Sequence, residues 1–420
     1  MHDRSLGLLL TLFFAAALLA AGPVYAQTGT KVLEYDKSGR AKVRSQDLNE
    51  GGGANGAGGA SFFSNDPTDP VNHFQPGELV VLNPPGGFSD AVASMGYRVL
   101  EVANLDGLGV SAYRLLIPPG KTVPEAKGEI SGRFPGAVVD ANHNFAAQAR
   151  KVSHARGAMG WPLATEGCGR GIRLGQVDSG VDLTHAALKG QRITFQSFHT
   201  PGTRPGPADH GTAVAGMLVG RSQWGGLLPG AELYAASMFE TSKDGRKVGT
   251  ALGLLKSLNW LAKSRVHAIN LSIAGTDNKT LRTAFDQASR IGLVVVAAAG
   301  NWGRADRPAY PAAYQHVIAV TAVSSRRQIY SYANKGDYID FAAPGVKIYA
   351  AVPGGARIMT GTSFASPYIT ALLAQNVAAG ASRQDGALKQ ALGRHVEDLG
   401  TRGKDAVFGY GFVNKVPDCR

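Results

Sequence analysis

The chain has 420 residues, 44% of them hydrophobic, enough for a large buried core with a smaller second domain, which excludes a wholly disordered polypeptide. The formal charge of +12 would suit anionic surfaces or acidic substrates, but no lysine and arginine run is dense enough for a nucleic-acid site, and the charge reads as a solvated surface. Two cysteines, Cys168 and Cys419, exclude a disulfide scaffold, although an oxidising compartment would let them pair.

Residues 1–26 open with one early arginine, Arg4, continue with an apolar run from Leu8 to Ala21, and close on Val24-Tyr25-Ala26. That pattern predicts a secretory signal peptide cleaved after Ala26, with export to a periplasm or the medium. The run is short for a membrane span and is broken at Gly22-Pro23, so no stable anchor is expected. Removing these residues deletes Asp3 and Arg4, whose charges cancel. Residues 27–77 contain "NEGGGANGAGGASFFSNDPTDP" and read as a flexible Gly-rich linker.

Residues 78–150 alternate strand and helix patterns in the order β-α-β-β-α-β: "ELVVL", "SDAVASMG", "YRVLEVA", "VSAYRLLIP", "VPEAKGEISGRF" and "GAVVDANHNF". This predicts a small two-layer α+β unit of ferredoxin-like type. From Lys151 onward the strand candidates "IRLGQV", "ELYAAS", "HAINLSI", "LVVVAAA" and "HVIAVTAV" are continuous apolar runs, and "VGTALGLLKSLNWLAKS" carries Leu254, Leu255, Leu258 and Leu261 at helical spacing. Residues 151–420 are therefore predicted to form an α/β domain, a mostly parallel sheet with helices on both faces. Sites in such sheets form at the carboxyl ends of the strands.

Three polar residues fall where such ends or helix starts are expected. Asp178 closes "IRLGQVD", Asn301 follows "LVVVAAAG", and His210 heads the apolar helix of "DHGTAVAGMLVG". Singly, each is also what a turn or cap would use. "TGTSFASPYITA" adds Ser363 after Gly361-Thr362 at the start of a helix, where free backbone N–H groups and the helix dipole favour an anionic oxygen. Serine needs a base to take its proton, and an imidazole oriented by a carboxylate is the usual device.

The blocks "DSGVD", "HGTAVAG", "AAAGNWG" and "GTSFASP", in this order, make residues 151–420 resemble the subtilisin-like serine peptidases, or subtilases. The resemblance implies a secreted endopeptidase in which Asp178 orients His210, His210 is the general base and then acid, Ser363 is the nucleophile, and Asn301 completes the oxyanion hole. It implies that Ser272, Ile273 and Ala274 form the edge segment that pairs with an extended peptide, with Trp302 and Ala309 at the P1 pocket. Ala274 stands where the family usually has glycine, which suggests a somewhat restricted apolar pocket. Phe364 takes the place of the methionine common after the nucleophile, Ala213 that of a second histidine in the His block, and Tyr368 that of another after the serine block.

The segment "GRSQWGGLLPGAELYAA" is shorter than the family's strong calcium loop and has Glu232 as its one carboxylate, so no metal or cofactor is expected to be required, with only weak structural calcium sites left open elsewhere. By the same resemblance the unit at 78–150 is a pro-domain, a folding aid and intramolecular inhibitor released between Phe145 and Lys151. The expected partners are protein or peptide substrates, with no nucleic acid, for a chain that acts as a monomer. Three alternatives are an inactive binding protein on the same fold, an α/β-hydrolase, which needs glycine where Ala365 stands, and the related carboxyl-peptidases, against which His210 and Asn301 argue.

Overall fold

The computed structural model describes residues 30–35, 41–46, 74–147, 150–151, 164–242 and 246–415. The expected signal peptide at 1–26 and Cys419 lie outside them. Cys168 is disulfide-bonded.

The linker expected over 27–77 is corrected in two places. Strands β1 (Thr30–Tyr35) and β2 (Ala41–Gln46) pair antiparallel inside it. Val32, Leu33, Tyr35 and Val43 supply strand-favouring residues before the glycines begin at Gly51. The next strand also starts four residues earlier than expected, at Phe74.

Residues 74–147 contain β3 (Phe74–Leu82), α1 (Phe88–Ser94), β4 (Arg98–Leu105), β5 (Val110–Leu116), α2 (Val123–Arg133) and β6 (Val138–Ala147). The strands lie side by side as β6-β3-β5-β4, all antiparallel. Strand geometry sends alternate side chains to opposite faces. Leu79 and Val81 join Phe88, Val92, Ala126 and Ile130 of the two helices in a small core. Val80 and Leu82 pack instead with Ala112 against helices of the larger domain. Helix α2 begins with a capping box between Thr122 and Glu125.

The larger domain follows a two-residue strand, β7 (Arg150–Lys151). Its first half holds β8 (Arg173–Asp178), β9 (Arg192–Ser197), β10 (Arg204–Pro205), α3 (Asp209–Val219), β11 (Glu232–Ser237), β12 (Phe239–Thr241), β13 (Lys247–Thr250) and α4 (Ala251–Lys263). Then come β14 (Ala268–Leu271), β15 (Ile273–Ala274), α5 (Lys279–Arg290), β16 (Val295–Ala298), β17 (Ile318–Val323) and β18 (Phe341–Pro344). The chain ends in β19 (Ile348–Val352), β20 (Gly355–Thr360), α6 (Ser366–Ala378), α7 (Asp385–Gly393), β21 (Val396–Glu397) and β22 (Phe412–Val413).

Nine strands form the central sheet in the order β21-β22-β18-β17-β16-β14-β8-β11-β9, parallel except for the pair β21 and β22. One face packs on α3 and α6 through residues such as Leu174, Val296, Val214 and Leu372. The other packs on α4 and α5 through Val177, Ile269, Leu258 and Phe285. The stretch Val248–Thr250, expected to belong to the helix, is strand β13. Helix α4 begins only at Ala251 because Thr250 caps it, its hydroxyl accepting from the Gly253 N–H at 3.1 Å.

Candidate active site

Asp178 closes β8, and Ser272 and Asn301 follow the carboxyl ends of β14 and β16; the three strands are neighbours in the sheet. Three chemically active positions therefore line up along one edge, where a parallel sheet offers a site. Alternation on β8 turns Leu174, Gln176 and Asp178 toward the α3 side. Gln176 Nε2 donates to the Gly211 carbonyl at 2.9 Å, tying the start of α3 to that strand.

His210 is the second residue of α3, and its Nδ1 lies 2.6 Å from Asp178 Oδ1. The carboxylate is fully buried and also accepts from the Ser179 N–H at 2.6 Å. The carboxylate can only accept, so Nδ1 carries the proton and Nε2 is the basic nitrogen. Gly211 makes this closeness feasible: a Cβ there would meet the Gly180 carbonyl at 2.4 Å and the Ser179 carbonyl at 2.7 Å. The Ser179 hydroxyl accepts from the Gly211 N–H at 2.9 Å, and the Thr212 hydroxyl accepts from the Asp182 N–H at 2.8 Å.

Ser363 is the middle residue of a 3-10 turn, Thr362–Phe364, that runs into α6. The next side chain, Phe364, is buried with its ring 5.5 Å from the His210 imidazole. The Ser363 carbonyl accepts from the Ser272 hydroxyl at 3.0 Å, and Ser272 is held in turn by Asn270 Nδ2 at 2.8 Å. Ser366 Oγ lies 3.4 Å from Ser272 Oγ and opens α6 next to Pro367, a framework position.

Asn301 is oriented by Thr362. Its Oδ1 accepts from both the Thr362 N–H and the Thr362 hydroxyl at 3.0 Å, so this end of the amide must be oxygen. The opposite end, Nδ2, is buried and has no hydrogen-bond partner among the described residues. A buried donor left open costs about 1–3 kcal/mol, which a ligand oxygen would recover. Asn334 holds the loop that follows, receiving the Trp302 N–H on its Oδ1 at 2.9 Å and donating to the Arg307 carbonyl at 3.0 Å. Tyr338 donates to the Ala299 carbonyl at 2.7 Å. Burial raises its phenol to about 12, so it remains a donor.

The structure gathers the remaining expected residues around this centre. Ser272, Ile273, Ala274 and Ala309 are fully buried, and Trp302 is half-buried with the Arg307 guanidinium over its ring. Gly275 and Tyr310 exchange backbone hydrogen bonds of 2.6 and 3.0 Å, which brings Ala274 and Ala309 to one wall. Gly300 has φ +97°, and a Cβ on it would meet the Ala309 Cβ at 2.7 Å. Among the described residues there is no group of three His, Cys, Asp or Glu side chains able to hold a metal ion.

Another part of the same chain pairs beside these residues. The end of β6 pairs antiparallel with β13 through Gly249↔Phe145 and Thr250↔Asn144, and with β15 through Ala274↔Ala146 and Ile273↔Ala147. Further on, β7 pairs with β20 through Thr360↔Arg150, three residues before Ser363. The boundary expected at residue 150 thus cuts through a segment that belongs to both parts.

Sequence reasoning missed Thr362, Ser179 and Asn334 as positioning residues. Thr362 and Ser179 sit inside the quoted blocks, where their neighbours could have drawn attention to them. Asn334 lies in "SYANKG", which has no distinguishing pattern.

A model of the subtilase family matches residues 169–411. The chain is 30% identical to the minor extracellular protease Epr of Bacillus subtilis over 58% of its own length and 38% of that protein, and 33% identical to subtilisin DY of Bacillus licheniformis over 48% and 74%. It therefore spans well under half of the first of these relatives. Fervidolysin from Fervidobacterium pennivorans, described as a keratinolytic enzyme related to subtilisin, shares the fold at a TM-score of 0.67 and 21% identity, over 81% of this chain and 60% of the other. With the Asp178–His210 pair, the Ser363 turn and the oriented Asn301 on one edge of a mostly parallel sheet, and a family model covering more than half of its length, this chain belongs to the subtilase family.

Proposed function

We propose that the protein is a secreted serine endopeptidase made as a self-inhibited precursor. The observation that carries this reading is the Asn301 amide, turned by Thr362 so that a buried donor without a partner flanks the Ser363 turn. Such a donor is suited to a tetrahedral oxyanion, whose developing charge it would stabilise.

In this mechanism His210 Nε2 takes the Ser363 hydroxyl proton while Oγ attacks the scissile carbonyl. Asp178 holds the imidazole in the required tautomer and stabilises it once charged. Asn301 Nδ2 and the Ser363 N–H bind the oxyanion. Collapse passes the proton to the leaving amine and leaves an acyl-enzyme, which water hydrolyses with His210 again as the base. The peptide lies as an added strand on Ser272, Ile273 and Ala274, so main-chain bonds supply affinity for many sequences. Ala274, Ala309 and Trp302 bound a restricted apolar P1 pocket. The enzyme needs no cofactor and acts as a monomer on protein or peptide substrates.

The unit at 74–147 is its pro-domain. Residues 144–147 occupy the groove in the manner of a substrate, between β13 and β15, and Arg150 resumes pairing beyond the nucleophile. The proposed self-cleavage falls between these two paired segments, after Ala147 and before Arg150. Export rests on the apolar leader at 1–26 and the disulfide at Cys168. Among the described residues no helix is long and apolar enough to cross a membrane.

Two experiments test the reading. A fluorophosphonate probe should label the processed wild-type protein at Ser363; its failure to react would favour the inactive binding protein. Ser363→Ala should accumulate at full length, whereas the processed wild type should begin at a residue from Gln148 to Arg150 on N-terminal sequencing. A processed Ser363→Ala chain would show that another protease makes the cut.

A further inference from the structure

His143 stands where β6 leaves the upstream unit for the groove. Its Nδ1 lies 3.1 Å from Asn278 Nδ2 and 3.4 Å from the Thr276 hydroxyl, and its ring is 6.1 Å from that of Phe74. The Asn278 amide cannot turn over. Its Oδ1 caps α5 by accepting from the Leu281 N–H at 3.1 Å and also accepts from the Thr280 hydroxyl at 2.6 Å. Its Nδ2 donates to the Ala141 carbonyl at 2.9 Å. The remaining N–H points at His143 Nδ1, which must offer a lone pair. The Asn278 contact therefore requires a neutral imidazole: a proton on Nδ1 would set N–H against N–H there and leave the more distant Thr276 hydroxyl as the acceptor in its place.

The two carboxylates whose charge reaches the ring each already face a cation. Asp140, on the same strand, pairs with Lys127 at 2.5 Å and accepts from the Lys279 N–H at 2.6 Å. Asp277 pairs with Arg282. Burial, the largest influence, holds the imidazole below its ordinary value; Asp140 and Asp277 oppose this in part and Lys127 adds to it.

We propose that His143 is an acid-operated release: uncharged, it fastens the upstream unit to the cap of α5, and protonated, it loosens that unit and opens the groove. The sign follows from linkage. A histidine depressed in the docked state keeps its full contribution above its undocked value, near 6.5, and loses it as pH falls below that value. This device rests on the reading of the upstream unit as an inhibitor.

The test uses the full-length chain. Wild-type precursor that has undergone self-cleavage is held at pH 8 or pH 5, and activity on a fluorogenic peptide is then read at one common pH. Release should be several-fold faster at pH 5 than at pH 8. His143→Gln, whose carbonyl can accept from Asn278 but which cannot ionise, should release at one slow rate at both values. His143→Lys should release at pH 8. The same changes in the Ser363→Ala background are followed by hydrogen exchange at the Leu252 and Lys279 amides, which bond across the interface to Asn142 and Asp140. The chain is exposed at each pH and labelled at one. Equal acid responses of wild type and His143→Gln in both measurements would overturn the proposal. Acid-dependent exchange abolished by His143→Gln, with no change in activity, would keep the switch and sink the inhibitor reading.

Discussion

The two sheets of this molecule are covered in different ways. The sheet of the larger domain has helices of that domain on both faces, α3 and α6 on one and α4 and α5 on the other. The upstream sheet has its own helices on one face only, and its second face, with Val80, Leu82 and Ala112, shares a core with α4 and α5. Burying one such aliphatic side chain contributes about 1.5–3 kcal/mol. The upstream unit therefore depends on its partner for much of its stability, while the larger domain retains a complete sandwich without it. That asymmetry fits the proposed role of the upstream unit as a temporary inhibitor.

Polar contacts follow the same division. The upstream unit reaches the larger domain through the first turns of two helices: Asn142 Oδ1 accepts from the Leu252 N–H at 3.3 Å, and Asp140 Oδ2 from the Lys279 N–H at 2.6 Å. Lys256 pairs with Glu101 and Lys263 with Asp106 across the same boundary. Within the larger domain, the buried contacts converge on the site: Asp178 with His210, Thr362 with Asn301, and Ser272 with Ser363.

Changes on the two sides should accordingly separate. The largest effect is expected at Ser363→Ala, which should lower peptide turnover by about a millionfold, the loss found on removing the nucleophile of subtilisin. Asn301→Ala should lower kcat by about 100- to 1,000-fold, as in subtilisin, with little change in KM, because the donor acts on the oxyanion alone. A matching rise in KM would assign Asn301 to substrate binding instead. Asp140→Ala should leave the kcat of the released enzyme unchanged and weaken inhibition by the upstream unit about 2- to 30-fold, the scale of one lost helix cap. Reduced kcat in the released enzyme would show that the two regions are not separable. The smallest effect concerns oxidation: with Phe364 against His210 in place of methionine, activity should survive dilute peroxide that inactivates a Phe364→Met variant.

Much of this architecture was legible along the chain. The strands β11, β14, β16 and β17 are dominated by apolar residues because both faces of the sheet are covered, while β8 adds the buried Gln176 and Asp178 to its apolar positions. Helix α4 shows its leucines for the same reason. The strand β9 was not legible, since it is an edge with five of its six side chains exposed. Nor was the hairpin of β19 and β20, which lies off the main sheet. Helix α5 did carry a readable pattern in Leu281, Ala284, Phe285 and Ala288, which went unread.

By itself the sequence determined the residue types of the site and the elements that carry them, because a strand end, a helix start and a glycine are local features with local chemical causes. Only the tertiary structure decided which end of Asn301 faces the groove, that Asn334 holds the adjoining loop, and that Asn144–Ala147 run between β13 and β15. Each of these depends on a hydrogen bond between residues far apart in the chain, and no local periodicity encodes such a partner. His143 shows the same limit: as a letter near the end of a strand it is unremarkable, and its requirement for a lone pair comes from an amide 135 residues away.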